Sequence, residues 1–418
     1  MSSVTVSSLP RILLKEMPKI PETPEARRLN CAYVSRSAPP RSGGIEAHMG
    51  RVATGLAGRG HRMRIFAARI DDEPFTRHNT TIAAQRFDPF VDGEVEVYPI
   101  PSGRRARAAM LPSVVSSVPG ADRIGYDRIR RATLPLIVNA LAPGFKRAFF
   151  AAGLVHCWGG EPLMHAAARA TRQRMLPLIV TPFAHPGHWG DDDLNAGLYR
   201  NADAVIALLP GEAAFYASLG VAESRMHVIP VAAPPAIETS FDPGLDAPIV
   251  LALGVKRPYK YRALLRALPL VKRPDVRFVF AGPETPESEA DFAAATDPRI
   301  VRRGKVDETE KWGWLRAADV LCLPSVSEIL PVSVLEAWRT GTPVVVAEGR
   351  FTRDLVADGT DGIVCAGEPE SIAQAIEAML SDPDAAKRMG RAGAAKVEQR
   401  YEPETVVTQH ETLYASLV

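Results

Sequence analysis

The chain has 418 residues, of which 46% are hydrophobic and 23% charged, and its formal net charge is +2 at pH 7. This length and composition are typical of a globular protein with two domains, each of which buries its own core. The balanced charge argues against a general nucleic-acid-binding protein, and no apolar run approaches the length of a membrane-spanning helix.

Residues 1–28 contain no uninterrupted apolar stretch of the length that a signal peptide needs, so we expect a loose or docked extension. The cysteines are scattered and lie mostly in apolar, strand-like runs, which predicts core thiols in a reducing cytosol. They are Cys31, Cys157, Cys322 and Cys365. The sequence therefore favours a cytoplasmic protein.

The first recognisable unit is a strand, a glycine turn and a helix. Cys31 to Val34 form the apolar strand, Gly43 and Gly44 the turn, and Gly60 the stop after the helix. Apolar residues recur at helical spacing between them: Ile45, Met49, Val52 and Leu56. A second strand is predicted over Met63 to Ala67. An ordinary tight turn explains two adjacent glycines, although their position after a first strand also suits a ligand-binding loop.

The segment between Arg104 and Arg147 mixes arginine with apolar residues. The arginines are Arg104, Arg105, Arg107, Arg128, Arg130 and Arg131, and the apolar residues are Met110, Leu111, Val114, Val115, Leu134 and Leu136. A basic amphipathic face suits an anionic membrane surface. An arginine-rich surface helix over a core gives the same pattern, and we favour this second interpretation.

A strand that ends at Thr181 is followed by two histidines, His185 and His188. Either is a candidate for a ligand site, and both are also compatible with ordinary loop residues. A metal site built from both and one of Asp191 to Asp193 is a further alternative. It lacks the i, i+4 frame of a helical metal site, so the pattern favours it least.

The chain between Val228 and Pro248 has no periodicity and is rich in proline and glycine, which indicates a linker between two halves. We therefore expect an extension over residues 1–28, a domain over 29–235, a second domain over 236–395 and a terminal segment over 396–418.

The second half begins with a strand, Ile249 to Leu253, which is followed by a turn at Gly254 and a basic loop. The loop carries Lys256, Arg257 and Lys260, and basic residues at the end of a strand suit a diphosphate. A solvated basic loop is the alternative. A helix follows with three leucines on one face: Leu264, Leu265 and Leu268. The next predicted elements are a strand at Val276 to Ala281, a turn at Gly304 to Val306 and a helix containing Trp312 to Ala317.

Two glutamates eight positions apart, Glu328 and Glu336, are the most informative feature of this half. Val320 to Leu323 and Val344 to Ala347 are short apolar runs typical of buried parallel strands. Ser333 stands three residues before Glu336, which predicts a capping box at the start of a helix.

That helix is expected to end at Gly341, with Pro343 just beyond it. The unit is thus β-α-β, with Glu328 in a loop at the carboxyl end of a strand, where open α/β sheets bind ligands. A helix amino terminus there suits a phosphate. In the simplest interpretation Glu336 only completes the capping box and Glu328 is a solvated loop charge.

These segments resemble glycosyltransferase family 4, whose members are retaining enzymes with the GT-B fold. The family pattern is Pro-Ser, a short spacer, Glu, a glycine-containing turn, Leu-Glu-Ala and a Gly-x-Pro-Val-Val strand. The matching residues are Pro324, Ser325, Glu328, Leu335, Glu336, Ala337, Gly341, Pro343, Val344 and Val345. The departures from the family include Ile329, which replaces a glycine and narrows the loop, Val255, which replaces an arginine, and Val231 with Ala232, which replace Asn-Gly.

The resemblance covers nearly all of the chain past residue 28. It implies an α/β protein of GT-B architecture, in which two Rossmann-like domains with parallel sheets face a central cleft. The domain over 29–235 would mainly hold the acceptor, and the domain over 236–395 would hold the nucleotide sugar. The segment over 396–418 would include a helix that crosses back to the first domain.

The resemblance also implies residue roles. Glu328 would lie beside the transferred sugar and stabilise positive charge at its anomeric carbon. Glu336 would accept hydrogen bonds from the ribose. Lys260 would hold the leaving pyrophosphate, with Lys256 or Arg257 in place of the missing arginine, and His185 would lie near the donor sugar and the acceptor hydroxyl. The other implied donor contacts are Gly43, Gly44, Gly254, Val306 at the base, Leu330, Val332 and Ser333.

The implied activity is transfer of a sugar, with retention, from a nucleotide-diphosphate sugar to a hydroxyl of a polysaccharide, glycolipid or small molecule. The leaving phosphate would take the acceptor proton, with no metal and no cofactor. Relatives that glycosylate lipids contact anionic membrane through the first domain, which implies peripheral contact at the inner face of the membrane as an option. The alternative is a relative that moves something else, such as a pseudo-glycosidic enzyme or a phosphorylase, or a non-catalytic protein that binds nucleotide sugar.

Overall fold

The computed structural model describes residues 28–40, 43–70, 87–102, 126–159 and 161–418, without the side chains of 126–129. The extension up to residue 27 and the part of the basic segment over 103–125 lie outside the described residues. They include Arg104, Arg105, Arg107, Met110, Leu111, Val114 and Val115.

The first half of the chain forms an eight-stranded sheet in the order β3-β4-β2-β1-β5-β6-β7-β8. Its strands are β1 (Asn30–Ser37), β2 (Arg62–Arg69), β3 (Phe90–Asp92), β4 (Val95–Pro99), β5 (Leu154–Trp158), β6 (Leu178–Thr181), β7 (Ala204–Ala207) and β8 (Met226–Val228). Its helices are α1 (Gly44–Gly58), α2 (Tyr126–Ala148), α3 (Leu163–Arg172), α4 (Asp193–Arg200) and α5 (Pro210–Ser218). All pairings are parallel except that of β3 with β4.

The second half forms a six-stranded parallel sheet in the order β11-β10-β9-β12-β13-β14. Its strands are β9 (Ile249–Leu253), β10 (Arg277–Ala281), β11 (Ile300–Gly304), β12 (Val320–Leu323), β13 (Val344–Ala347) and β14 (Ile363–Cys365). Its helices are α6 (Arg262–Ala267), α7 (Pro286–Ala294), α8 (Glu308–Ala317), α9 (Val332–Arg339), α10 (Thr352–Leu355) and α11 (Pro369–Ser381). Residues 229–248 between the sheets contain neither helix nor strand.

The apolar runs of the sequence are the central strands of both sheets. β9, β12 and β13 have the predicted bounds, and β10 begins one residue later than expected, at Arg277. Every residue of β5, β6, β12 and β13 is buried, because helices cover both faces of a parallel sheet. The predicted two-domain α/β fold is confirmed.

All four cysteine thiols are buried and free, as predicted for core residues. Burial alone raises the pKa of Cys157 and is the main cause of the raised pKa of Cys31. Thiols of this kind are poor nucleophiles, because the thiolate is the reactive form.

The chain closes with α12 (Pro383–Arg400) and α13 (Pro403–Leu417). α12 packs on α9 through glycine, since a Cβ on Gly393 would lie 2.1 Å from Cδ1 of Trp338 on α9. α13 packs on α1 of the first half. There the Tyr414 hydroxyl lies 2.8 Å from the Tyr33 hydroxyl and 2.6 Å from His156 Nδ1.

Three histidine rings are buried beside that contact, on α1, β5 and α13: His48, His156 and His410. Burial lowers the pKa of His410 to about 4 and lowers the pKa of the other two well below the usual value. The rings are therefore neutral near pH 7. They fill the junction between α13 and the first sheet as packed side chains, and each ring has at least one nitrogen in a hydrogen bond.

The described part of the basic segment covers a core. Leu134 and Ile137 on α2 are buried, and Arg130 donates to both oxygens of Glu161 at 2.7 Å and to Asp192 at 2.8 Å. Arg130 thus forms an internal ion-pair network instead of an exposed basic face. In the part of the chain that the structure describes, no helix is long and apolar enough to cross a membrane.

The carboxyl group of Glu212 is buried at the amino end of α5. Glu212 is fully buried, and its Oε2 accepts a hydrogen bond from the Leu208 N–H at 2.6 Å, while the Tyr216 hydroxyl donates to Oε1 at 2.6 Å. Burial raises the pKa of this carboxyl to about 7, against the lowering effect of its hydrogen-bond donors. The carboxyl group is thus protonated in the folded protein over a range in which it is ionised in the unfolded chain.

We expect Glu212 to make the free energy of unfolding fall as the pH rises from about 4.5 to about 7. In that window the folded state binds more protons than the unfolded state, so deprotonation favours unfolding, by about 3 kcal/mol in total. Glu212→Gln removes this component. Denaturant unfolding across this pH window should show that the difference in the free energy of unfolding between wild type and Glu212→Gln changes with pH. The difference between wild type and Glu223→Gln, a change at an exposed position of the same domain, should stay constant. If the difference between wild type and Glu212→Gln stays constant with pH, the raised pKa of Glu212 is contradicted.

Candidate functional site

The amino ends of two helices, one from each half, face each other across the cleft. A Cβ on Gly44, the first residue of α1, would lie 3.5 Å from Val332 Cγ2, in the first residue of α9. Both helices follow the carboxyl end of a strand, β1 and β12, which is the edge where open α/β sheets bind ligands. The two halves therefore share one candidate site.

The glutamate loop differs from the prediction at its helix. Pro331, not a serine, is the N-cap of α9, and no side chain caps the helix. Ser333 already lies inside the first turn, so its hydroxyl is not in the position that a capping box requires. The predicted capping box is wrong. The first N–H groups of α9 are left without a side-chain acceptor, which suits an anionic ligand.

Glu328 pairs with Lys260, a residue from the other predicted motif. Lys260 Nζ lies 2.8 Å from Glu328 Oε1, and the side chains are 26% and 17% exposed. Lys260 ends a short 3₁₀ turn, Pro258–Lys260, that follows β9 and Gly254. Gly254 has a φ of 92°, which favours glycine and turns the basic loop back over the sheet edge. The fold thus joins the basic loop and the glutamate loop at one point.

His185 comes to the same point from the first half. Its ring is half-buried and stacks on Trp189 with centroids 5.0 Å apart, and Nδ1 donates to the Phe183 carbonyl at 3.2 Å. Burial lowers the pKa of His185, and Glu328 and Lys260 are close enough to affect it. With Nδ1 carrying the proton of the neutral ring, Nε2 is an acceptor. His188 is exposed, so His185 is the better candidate.

Glu336 lies deeper in the cleft and pairs with a residue that the sequence motifs missed. Lys311 Nζ, from α8, lies 2.8 Å from Glu336 Oε1. Burial raises the pKa of Glu336, and Lys311 opposes that effect. The only sequence signal for Lys311 is its place one turn before Leu315 on the buried face of α8.

Arg51 on α1 is a second missed cation. Its Nε donates to the Ala232 carbonyl at 3.0 Å, and its buried Nη2 has no hydrogen-bond partner among the described residues. Burial lowers the pKa of Arg51 to about 10, while Glu336 and Glu308 raise it. Arg51 is two turns from Gly44 on the same face of α1, and so it faces the glutamates of the opposite half.

The remaining predicted residues surround this centre. Gly43 is the N-cap of α1 with an extended backbone. Val255 is buried in the core of the second half, which leaves Lys256 and the exposed Arg257 as the basic residues of that loop. Ile329 and Leu330 are also buried. The isoleucine side chain therefore packs into the protein, beside a small pocket that Glu328 and Pro331 also line.

Three further donor positions are partly exposed: Val306, Val332 and Ser333. The carboxylates of the metal alternative bind protein groups, since Asp191 accepts from the Gly187 N–H at 2.6 Å and Asp192 caps α4. Within the described residues, no three His, Cys, Asp or Glu side chains gather to hold a metal ion.

Solved structures share the architecture of the chain. HepE from Anabaena, crystallised with UDP-glucose, superposes with a TM-score of 0.70 at 15% identity, over 93% of this chain and 100% of that chain. Sucrose-phosphate synthase from Thermosynechococcus elongatus superposes with a TM-score of 0.68 at 18% identity, over 93% and 99%. At these identities the likeness concerns the fold, which is GT-B.

Family models cover both halves of the chain. Residues 43–232 match the model described as "Glycosyl transferase 4-like domain", and residues 247–382 match "Glycosyl transferases group 1". The chain belongs to the group 1 glycosyltransferases, the family 4 enzymes that its glutamate motif resembles.

Curated relatives align with part of the chain. A D-inositol 3-phosphate glycosyltransferase from Arthrobacter sp. (strain FB24) is 29% identical over 265 residues, which are 58% of this chain and 62% of that protein. A phosphatidyl-myo-inositol mannosyltransferase from Mycobacterium leprae (strain TN) is 32% identical over 158 residues, 37% of this chain and 42% of that protein. The chain therefore spans less than two thirds of the length of either relative.

Proposed function

We propose that this protein is a retaining glycosyltransferase that moves a sugar from a nucleotide-diphosphate sugar to a hydroxyl acceptor. The ion pair of Lys260 with Glu328, which His185 faces across the cleft, carries the proposal. A cation and an anion side by side match a reaction in which a positive anomeric carbon separates from a negative diphosphate. Membership of the family and the names of the two curated relatives support glycosyl transfer.

The donor side of the site suits a nucleotide diphosphate. The uncapped amino end of α9 and the ammonium group of Lys260 would hold the phosphates, with Lys256 or Arg257 as further cations. Glu336, one turn into α9 from Val332, would accept hydrogen bonds from the ribose. HepE, which shares the fold, was crystallised with UDP-glucose.

In the proposed reaction the bond from the anomeric carbon to the phosphate oxygen breaks first. The ammonium group of Lys260 then donates to the departing diphosphate, so it neutralises the charge of Glu328 less completely. Glu328 stabilises the positive charge of the sugar ring. The departing phosphate oxygen takes the proton of the acceptor hydroxyl, and that hydroxyl oxygen bonds to the anomeric carbon on the same face. The neutral His185 ring accepts a hydrogen bond near the sugar through Nε2, and neither a metal nor a cofactor takes part.

The acceptor is proposed only as a hydroxyl of a small molecule, glycolipid or polysaccharide. The names of the two curated relatives contain inositol, which favours a polyol, or a lipid with a polyol headgroup, as the acceptor. We place the reaction in the cytoplasm, with peripheral contact at the inner face of the membrane if the acceptor is a lipid.

A ligand screen of the purified protein tests the donor. A ligand that binds only the folded state raises its melting temperature by mass action. We expect one nucleoside diphosphate, with its sugar conjugate, to raise the melting temperature and to bind in calorimetry, and Glu336→Ala to lose that effect. If no nucleotide binds, the proposal fails and the alternative of a non-catalytic relative gains support. If transfer proceeds but NMR of the product shows an inverted anomeric centre, the retaining mechanism fails.

A further inference from the structure

Glu336 offers the cleft a single free carboxylate oxygen. Its side chain is 11% exposed, and Oε1 accepts from Lys311 Nζ at 2.8 Å. Among the described residues, Oε2 accepts no hydrogen bond. Because Glu336 is four residues from Val332, it lies on the face of α9 that is turned to α1 of the opposite half. The free oxygen therefore belongs to the side of the site where the proposed donor binds.

Lys311 is itself held in place. Its ammonium group lies 2.8 Å from Glu308 Oε2 as well as 2.8 Å from Glu336 Oε1, and 5.7 Å from the ring centroid of the buried Trp312. The side chain is 18% exposed. A lysine on the surface loses rotamer freedom when it is fixed, but this one is already fixed by two carboxylates and a ring. It can therefore hold Glu336 in one orientation.

The charge of Glu336 depends on its cationic neighbours. A buried carboxylate without a cation takes up a proton, and a protonated carboxyl is a weaker hydrogen-bond acceptor. Lys311 and Glu308 on α8 and Arg51 on α1 are the charged groups that act on Glu336. Lys311 is the one within bonding distance. Arg51 acts through space from the facing helix.

We propose that Lys311 is a positioning residue of the donor site, which binds one oxygen of Glu336 so that the other faces the ribose hydroxyls of the nucleotide. This inference rests on the proposed ribose contact of Glu336. It predicts that Lys311 affects the choice between ribose and deoxyribose, although it touches neither.

Calorimetry with matched nucleotides tests the proposal. The probes are UDP, GDP and ADP with their 2′-deoxy and 3′-deoxy counterparts, and the base that binds wild type most tightly is then used throughout. A hydrogen bond to a charged group predicts that wild type prefers the ribose form by about tenfold or more over one of the two deoxy forms. We expect Lys311→Met to lower that preference at least fivefold and Lys311→Arg to keep most of it. Lys387→Met, at an exposed position on α12, is the matched control.

Glu336→Gln distinguishes the ribose contact of Glu336 from the positioning role of Lys311. If Glu336→Gln loses the preference and Lys311→Met keeps it, Glu336 contacts the ribose and the positioning role of Lys311 is overturned. If Glu336→Gln also keeps the preference, the ribose contact itself is wrong and the proposed donor site fails with it. If Lys311→Met lowers the melting temperature, Lys311→Gln is used in its place, because glutamine keeps a hydrogen-bond donor without the charge. A full ribose preference in Lys311→Gln also overturns the role of the cation.

Discussion

Glu328→Gln is expected to lower kcat/KM on the order of a thousandfold, which corresponds to a loss of several kcal/mol of transition-state stabilisation. Glutamine keeps the size of the side chain and removes the negative charge that would face the developing positive charge at the anomeric carbon. Because that charge is small in the ground state, KM for the donor should change little and kcat should fall. Steady-state kinetics with the donor identified by the ligand screen measures both constants.

The fold should tolerate this change. Glu328 lies in a loop, its side chain is 17% exposed, and its ion-pair partner is Lys260. Glu348→Gln is the matched control, because Glu348 also follows a strand of the same sheet and pairs with a basic residue, Arg353, at 2.5 Å. We expect wild-type kinetics from the control. Wild-type turnover from folded Glu328→Gln would remove the catalytic role.

Lys260→Ala is expected to lower kcat/KM by a similar amount, several kcal/mol, for a different reason. The ammonium group would neutralise the leaving diphosphate in the bound donor and more strongly as the bond breaks. Both donor binding and kcat should therefore fall. Calorimetry should show weaker binding of the nucleoside diphosphate and unchanged binding of the nucleoside, since in the proposed site only the diphosphate would contact Lys260.

Lys272→Ala, at an exposed position of the same half, serves as the control for Lys260. The double variant of Lys260 and Glu328 adds a sharper test. Their charged atoms lie 2.8 Å apart, so the two losses should be less than additive. Full additivity would mean that the two residues act in separate places, and unchanged diphosphate affinity in Lys260→Ala would contradict its role.

The sequence predicted four of the six strands of the second half, β9, β10, β12 and β13, to within one residue, because a parallel strand covered on both faces must be apolar throughout. β12 and β13 illustrate this, since each is a buried run that ends at a polar loop. The glutamate motif predicted correctly where a helix begins to within one residue, Val332 in place of Ser333. It predicted the cap wrongly, because Pro331 already ends the extended loop and the Glu336 carboxylate is drawn to a cation.

That cation marks the limit of motif reasoning. Lys311 and Glu336 are 25 positions apart, and no local spacing connects them. Arg51, from the other half of the chain, acts on the same glutamate through space. These interactions depend on how the fold places segments that are far apart in the chain, so a periodicity or a spacing in one segment cannot show them. The pairing of Lys260 with Glu328 has the same origin.

The return of α13 to the first half also affects the order in which the protein folds. Tyr33 and Tyr414, which share a hydrogen bond, are 381 positions apart. While the ribosome makes the chain, the second half emerges complete and can form its sheet, whereas the first half, made earlier, still lacks the helix that covers His156. Domains normally fold in the order of synthesis. Here we expect the half that is made first to be the half that is finished last.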